Sequence, residues 1–286
     1  MMRKALLRAL PPLTAALLLA ACATPPLGMR EANREYTSTN QDSRVLILVI
    51  HYTEETWPDS LRTLRGLDGP ERPVSAHYLV RDNPAEVYQL VDENRRAWQA
   101  GASYWQGSQN INSASIGIEI VNPGDKEASG QRNGHFAPYP QAQQDAVIKL
   151  VKDIVARHQI KPTRIVGHED IAPDRRRDPG PQFPWHRLYE AGVIPWPDAA
   201  QVAAKTAQYR PALPDIAWAQ QQLARYGYLI PVTGTLDEHT RDVISAFQMK
   251  YRPGNCDGNL DAETAALIDV ATTEGGLLMV DGKRPG

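Results

Sequence analysis

Val45 to Ile50 is an unbroken apolar run, Val-Leu-Ile-Leu-Val-Ile, dominated by branched side chains. A run with no polar alternate predicts a strand buried on both faces, and His51 stands at its end. His77 to Val80 and Glu86 to Val91 predict two more strands, separated by the turn signal Asp82-Asn83-Pro84. Ile116, Ile118 and Ile120 alternate, which turns Glu119 to the opposite face of another strand. The period then lengthens. Val147, Val151, Ile154, Val155 and His158 recur at helical spacing, in a helix that Pro140 opens and Pro162 stops. Arg164 to Gly167 is a short strand that delivers His168. The pattern predicts an α/β domain over residues 45–197, with a mixed central β-sheet flanked by helices.

Residues 198–214 are rich in Ala, Gln and Pro and predict a linker. Beyond them lies an internal repeat: Gly234-Thr235-Leu236-Asp237 recurs as Gly258-Asn259-Leu260-Asp261. Each copy reads as a glycine turn, an apolar plug and an Asp N-cap that starts a helix. With an earlier helix over Ile216–Tyr226, this predicts an independent three-helix domain at 215–272, followed by a tail at 273–286.

The first 21 residues belong to neither domain. Arg3, Lys4 and Arg8 precede the apolar stretch Leu13–Ala21, too short and too close to Pro11-Pro12 for a normal membrane span, and this predicts a signal peptide. Its end, Leu19-Ala20-Ala21-Cys22, resembles a bacterial lipobox, in which Cys22 carries lipid and becomes the mature N-terminus. Ala23 in the next position resembles lipoproteins sent to the outer membrane. Residues 22–44 are polar and pattern-poor, as suits a tether.

Signal removal takes away three positive charges and moves the formal net charge from −2 to −5. Cys256 is then the remaining cysteine, so no intramolecular disulfide can form. No basic run with interleaved aromatics is present, which argues against nucleic acid as a partner, and no protein partner is evident.

The densest chemistry lies between Gly167 and Pro181. His168 follows a strand, and Asp178 follows ten residues later in a loop containing Pro173, Pro179 and Pro181. Those prolines exclude a helix. Zn²⁺ accepts this pair of ligand types, although the spacing matches no zinc finger, and a polar surface loop with one satisfied histidine is the plainer alternative. His51, Glu119, His168 and Asp178 all stand at strand ends or in adjoining loops. Three ligands plus a water is the open arrangement of a catalytic zinc. Glu119, on a strand, is placed to take the proton of an attacking water, although taken alone an exposed charge on the solvent face of the strand is the plainer reading.

These residues match a known family. Ile50-His51-Tyr52-Thr53, Ser75-Ala76-His77-Tyr78, Ser115-Ile116-Gly117-Ile118-Glu119-Ile120, Gly167-His168-Glu169-Asp170-Ile171-Ala172-Pro173 and Arg176-Arg177-Asp178-Pro179-Gly180 resemble the zinc-dependent N-acetylmuramoyl-L-alanine amidases, amidase type 2. The C-terminal repeat, with Tyr226-Gly227-Tyr228 and Ala246-Phe247-Gln248, resembles the three-helix peptidoglycan-binding module that lipoprotein members carry.

The resemblance implies one Zn²⁺ per chain, held by His51, His168 and Asp178, with Glu119 as the catalytic carboxylate. It implies hydrolysis, by a zinc-activated water, of the amide between N-acetylmuramic acid and L-alanine in peptidoglycan or muropeptides. Arg176 stands where close relatives usually carry lysine; a guanidinium cannot surrender its proton, so its expected role is electrostatic. Trp98, Trp105 and Asn112 fall in the stretch where the family binds substrate, with core packing as the alternative for Trp98. His77 is expected to be structural.

The implied location is the bacterial cell envelope, as an outer-membrane lipoprotein facing the periplasm and anchored by its lipid. Three rivals bear on the same residues. A non-catalytic wall receptor typically lacks a complete ligand set, and a zinc endopeptidase would cut peptide–peptide bonds. A cytosolic recycling amidase would lack the signal, lipobox and wall-binding module.

Overall fold

The computed structural model describes residues 35–286 apart from 70, 72 and 126–133. The expected signal peptide and Cys22 lie outside the described residues. The elements below all belong to one compact unit, Asp42–Gly286.

The first part of this unit contains β1 (Ile47–Tyr52), α1 (Trp57–Leu64), β2 (Tyr78–Val80), β3 (Val87–Gln89), α2 (Ile111–Ala114), β4 (Ser115–Ile120), α3 (Gln141–His158), β5 (Ile165–Gly167), α4 (His168–Ile171), α5 (Trp185–Glu190) and β6 (Trp196–Pro197). α6 (Ala199–Tyr209), α7 (Ile216–Tyr226), α8 (Glu238–Tyr251), α9 (Ala262–Thr272) and β7 (Leu277–Leu278) complete the chain.

The central sheet runs β3-β2-β4-β1-β5. β1 is parallel to β4 and to β5, β2 is parallel to β4, and β3 closes one edge as an antiparallel hairpin strand. All six residues of β1 are buried, as its unbroken apolar run requires. On one face, Leu48, Ile50, Ile116 and Ile118 pack against Val147, Val151 and Ile154 of α3. On the other, Ile47, Val49 and Val166 share one apolar cluster with Leu223, Val243, Phe247 and Ile268 of the C-terminal helices. The segment expected as an independent domain therefore shares an apolar cluster with the second face of the sheet.

The expected linker at 198–214 is also different in the structure. Residues 199–209 form α6, whose N-cap Asp198 accepts from the Gln201 amide at 2.8 Å. Alanine-rich composition, read as a linker, is equally what a helix favours, and a polar cap tips the choice. Tyr209 and Lys205 of α6 both bind Asp269 of α9, at 2.7 Å each. The tail does not start loose either, since β7 pairs antiparallel with β6.

The repeat folds as its pattern predicts. Asp237 and Asp261 cap their helices through the Thr240 and Thr264 amides, both at 2.8 Å. Gly234 and Gly258 both adopt φ 73°, a left-handed conformation that favours glycine. Two buried glutamines serve the two turns alike: Gln220 Oε1 accepts from Gly234 N and Gln248 Oε1 accepts from Gly258 N, each at 2.8 Å.

Candidate metal centre

His51, Glu119 and His168 come from the carboxyl ends of three neighbouring parallel strands. His51 is the register partner of Glu119, so both side chains leave the sheet on the face that carries Ile47, Val49 and Gly117. β5 flanks β1 on its other side and runs directly into α4, whose first residue is His168. Open α/β sheets form their ligand crevices at such strand ends. Asp178 arrives from the proline loop. That loop is tied down by Glu169 N donating to the Asp178 carbonyl at 2.9 Å and by the Tyr139 hydroxyl donating to the Pro179 carbonyl at 2.8 Å.

Three side-chain atoms converge. His51 Nδ1 lies 2.9 Å from His168 Nδ1 and 2.9 Å from Asp178 Oδ2, and His168 Nδ1 lies 3.1 Å from the same oxygen. All three residues are buried. Among the described residues, this is the one cluster of three such side chains with metal-binding geometry.

Burial pushes the His168 imidazole down to about 4, which keeps the ring neutral with a free lone pair. For His51, burial also disfavours the cation, but the charges of Glu119 and Asp178 outweigh it and raise its pKa. Burial likewise opposes ionisation of Asp178, yet His168 and His51 hold its carboxyl well below the usual carboxylate range. Two imidazole nitrogens facing each other across one carboxylate oxygen need a cation between them, either a proton or a metal ion. Two imidazoles and one carboxylate beside a cleft are a donor set suited to zinc.

The cleft beside this centre has a volume of about 140 Å³, and its lining includes Tyr52, Trp98, Glu119, His168, Arg176 and Asp178. Burial, then the neighbouring Asp178 charge, push the Glu119 carboxyl up to about 7, against the opposing pull of His51 and Arg176. Glu119 Oε2 has no hydrogen-bond partner. A carboxylate poised near neutrality with a free oxygen is what proton transfer needs. Arg176 lines the same cleft.

Trp105 and Asn112 sit elsewhere than expected. Trp105 is 1 % exposed, its ring edge-on to Tyr226 and Tyr228 with centroids 5.7 and 5.2 Å away, so it offers no face to a sugar. Trp98 is 50 % exposed and lines the cleft. Which tryptophan is covered depends on where the C-terminal helices dock, and no local pattern carries that. Asn112 lies outside the cleft lining, and its Oδ1 accepts from the backbone amides of Gln99 and Ala100 at 3.1 and 2.8 Å. His77 is satisfied at both nitrogens, accepting from Gly117 N at Nδ1 and donating to the Arg95 carbonyl from Nε2, each at 3.1 Å. Sequence reasoning missed Gln99, whose Oε1 faces His51 Nε2 at 2.5 Å; nothing around it in the chain marks it.

Comparison with known proteins adds a second line of argument. The N-acetylmuramoyl-L-alanine amidase family matches residues 41–181, and the peptidoglycan binding domain family matches residues 213–268. The chain is 43 % identical over 267 residues to the N-acetylmuramoyl-L-alanine amidase AmiD of Escherichia coli strain K12, covering 89 % of this chain and 94 % of that protein. The solved complex of E. coli AmiD with anhydro-N-acetylmuramic acid-L-Ala-D-γ-Glu-L-Lys superimposes with a TM-score of 0.73 at 42 % identity, over 82 % of this chain and 91 % of that one. The crystal structure of AmpDh3 from Pseudomonas aeruginosa gives a TM-score of 0.74 at 36 % identity, over 84 % and 96 %.

Proposed function

This chain belongs to the N-acetylmuramoyl-L-alanine amidase family, and from that premise we propose how its own residues carry out the reaction. The enzyme hydrolyses the amide between N-acetylmuramic acid and L-alanine in peptidoglycan or muropeptides, with one zinc ion held by His51, His168 and Asp178. The observation that carries this reading is the convergence of those three donors beside Glu119 at the ends of β1, β4 and β5. Zinc bound there supplies a Lewis acid that acidifies water and polarises a carbonyl.

The chain supplies the rest. Glu119 Oε2 takes the proton of the attacking water and returns it to the departing amine, a role suited to a carboxyl near neutrality. Arg176 offsets the negative charge that develops on the amide oxygen and exchanges no proton. Trp98, open at the cleft, gives the substrate an apolar wall.

Helices α7–α9 hold the enzyme on the wall, and lipid on Cys22 tethers it to the outer membrane on the periplasmic side. Each buried CH₂ of such lipid contributes about 0.8 kcal/mol to anchoring.

Digestion of a defined muropeptide followed by mass spectrometry tests the activity. The expected products are a peptide-free muramic sugar and a stem peptide with a free L-alanine amine. Cleavage between amino acids, or no cleavage, would exclude the reading. Replacing Cys22→Ser is expected to move the protein from the membrane to the soluble fraction.

A further inference from the structure

We propose that Gln99 and Ala100 form an orienting strap for both metal-binding histidines, and that Asn112 is the positioning residue that pins this strap. The inference rests on the reading of His51, His168 and Asp178 as a metal centre.

Each histidine directs Nδ1 at the centre, so each has an Nε2 left over, and a buried polar nitrogen must find a partner. Consecutive residues provide both. His51 Nε2 meets Gln99 Oε1 at 2.5 Å, and His168 Nε2 meets the Ala100 carbonyl at 3.3 Å. A carbonyl oxygen can only accept, so both Nε2 atoms carry the hydrogen and both Nδ1 lone pairs face the cation.

The orientation of the Gln99 amide decides this for His51. Its Nε2 donates to Ser115 Oγ at 2.8 Å, which leaves Oε1 toward the imidazole. The reverse orientation would aim an NH₂ at His51 and force a hydrogen onto Nδ1, into the metal position. Room for Gln99 comes from Gly117: a Cβ there would lie 2.7 Å from Gln99 Cγ. The glycine in Ser115-Ile116-Gly117-Ile118-Glu119 thus has a physical reason.

The strap is neither helix nor strand, so its own placement needs an external hold. Asn112 Oδ1 accepts from Gln99 N at 3.1 Å and from Ala100 N at 2.8 Å, one acceptor fixing both peptide groups. Ser75 Oγ accepts from Trp98 N at 3.0 Å, and Arg175 Nη2 donates to the Ala100 carbonyl at 2.7 Å. Removing Asn112 frees the residues that set both ring orientations at once.

Zinc retention measured by chelator competition on the full chain tests this, with the d–d absorption of the Co²⁺-substituted protein as a second readout. Gln99→Leu and Asn112→Ala are expected to weaken zinc binding by about 10- to 100-fold and to change the Co²⁺ spectrum. Gln99→Glu and Asn112→Asp keep an accepting oxygen and are expected to retain zinc close to wild type. If Gln99→Leu fails to fold, Gln99→Met, with its flexible unbranched stem, reads the same loss. Undiminished retention in the non-accepting variants overturns the strap, as does equal loss in the accepting ones. Failure of the wild-type chain to bind zinc at all would instead overturn the metal centre itself.

Discussion

Lys250 on α8 places its ammonium 3.5 Å from Asp170 Oδ2, with both side chains almost wholly buried. The same ammonium lies 4.3 Å from the centre of the Trp185 ring and donates to the Ile165 carbonyl at 3.0 Å. Tyr228 takes the other carboxylate oxygen, its hydroxyl donating to Asp170 Oδ1 at 2.6 Å. Asp170 is two residues beyond His168, so the C-terminal region braces the turn that presents a histidine of the candidate metal centre. A helical region matching a wall-binding family is thereby also part of the scaffold of the catalytic half.

Lys250→Met leaves Asp170 as a buried charge without its cation, a change that typically costs about 3–5 kcal/mol. Thermal unfolding is expected to shift down by roughly ten degrees for a chain of this size. The paired variant Lys250→Met/Asp170→Asn, with no charge left to strand, is expected to recover part of that loss. An unchanged melting temperature in the single variant would mean that water reaches the pair.

Deleting residues 198–286 removes Leu223, Val243, Phe247 and Ile268 from the apolar cluster that also holds Ile47, Val49 and Val166. The truncated catalytic half is expected to aggregate or to melt without a cooperative transition, read by size-exclusion chromatography and calorimetry. A soluble, cooperative fragment would show that the cluster is dispensable.

Glu119→Gln keeps the size of the side chain and removes its basicity. Turnover is expected to fall by about 10²- to 10⁴-fold, while zinc content stays at the wild-type level. In the wild type, Glu119 must be ionised to accept a proton. Because burial raises its carboxyl to about 7, kcat/KM should rise with pH through the neutral range. A pH–rate profile that is flat there would remove Glu119 as the base.

Arg176→Ala takes away a charge that lines the cleft. Loss of one oxyanion-stabilising group typically costs about 3 kcal/mol, so kcat is expected to drop on the order of a hundredfold. Arg176→Lys, which keeps the charge, should restore much of it. A wild-type kcat in the alanine variant would refute the electrostatic role.

Acid stability should depend on Glu93. Burial raises its carboxyl, but hydrogen bonds from Arg157, Tyr78 and His158 prevail and hold it at about 2. The unfolded chain binds this proton at a higher pH than the folded one does, so the contribution is present above the ordinary carboxylate range and fades as pH falls toward 2. Glu93→Gln is expected to flatten that part of the stability curve, measured by urea unfolding between neutral and acid pH.

Much of this molecule is legible in its sequence. The buried strand at Val45–Ile50, the alternation that turns Glu119 away from Ile118 and Ile120, and the two aspartate-capped repeats follow from local periodicity, and periodicity reports burial directly. His51 and His168 stand at strand ends and Asp178 in a proline loop, positions the linear pattern marks, and the resemblance to the amidase family singled them out together with Glu119. The three-dimensional arrangement alone decided that Trp105 is covered while Trp98 is open, and that Asn112 serves a backbone segment. It also brought Gln99 to His51 and Lys250 to Asp170. The reason is physical: periodicity records which side of an element is apolar, whereas each of these contacts joins separate elements whose meeting depends on how the second face of the sheet is covered.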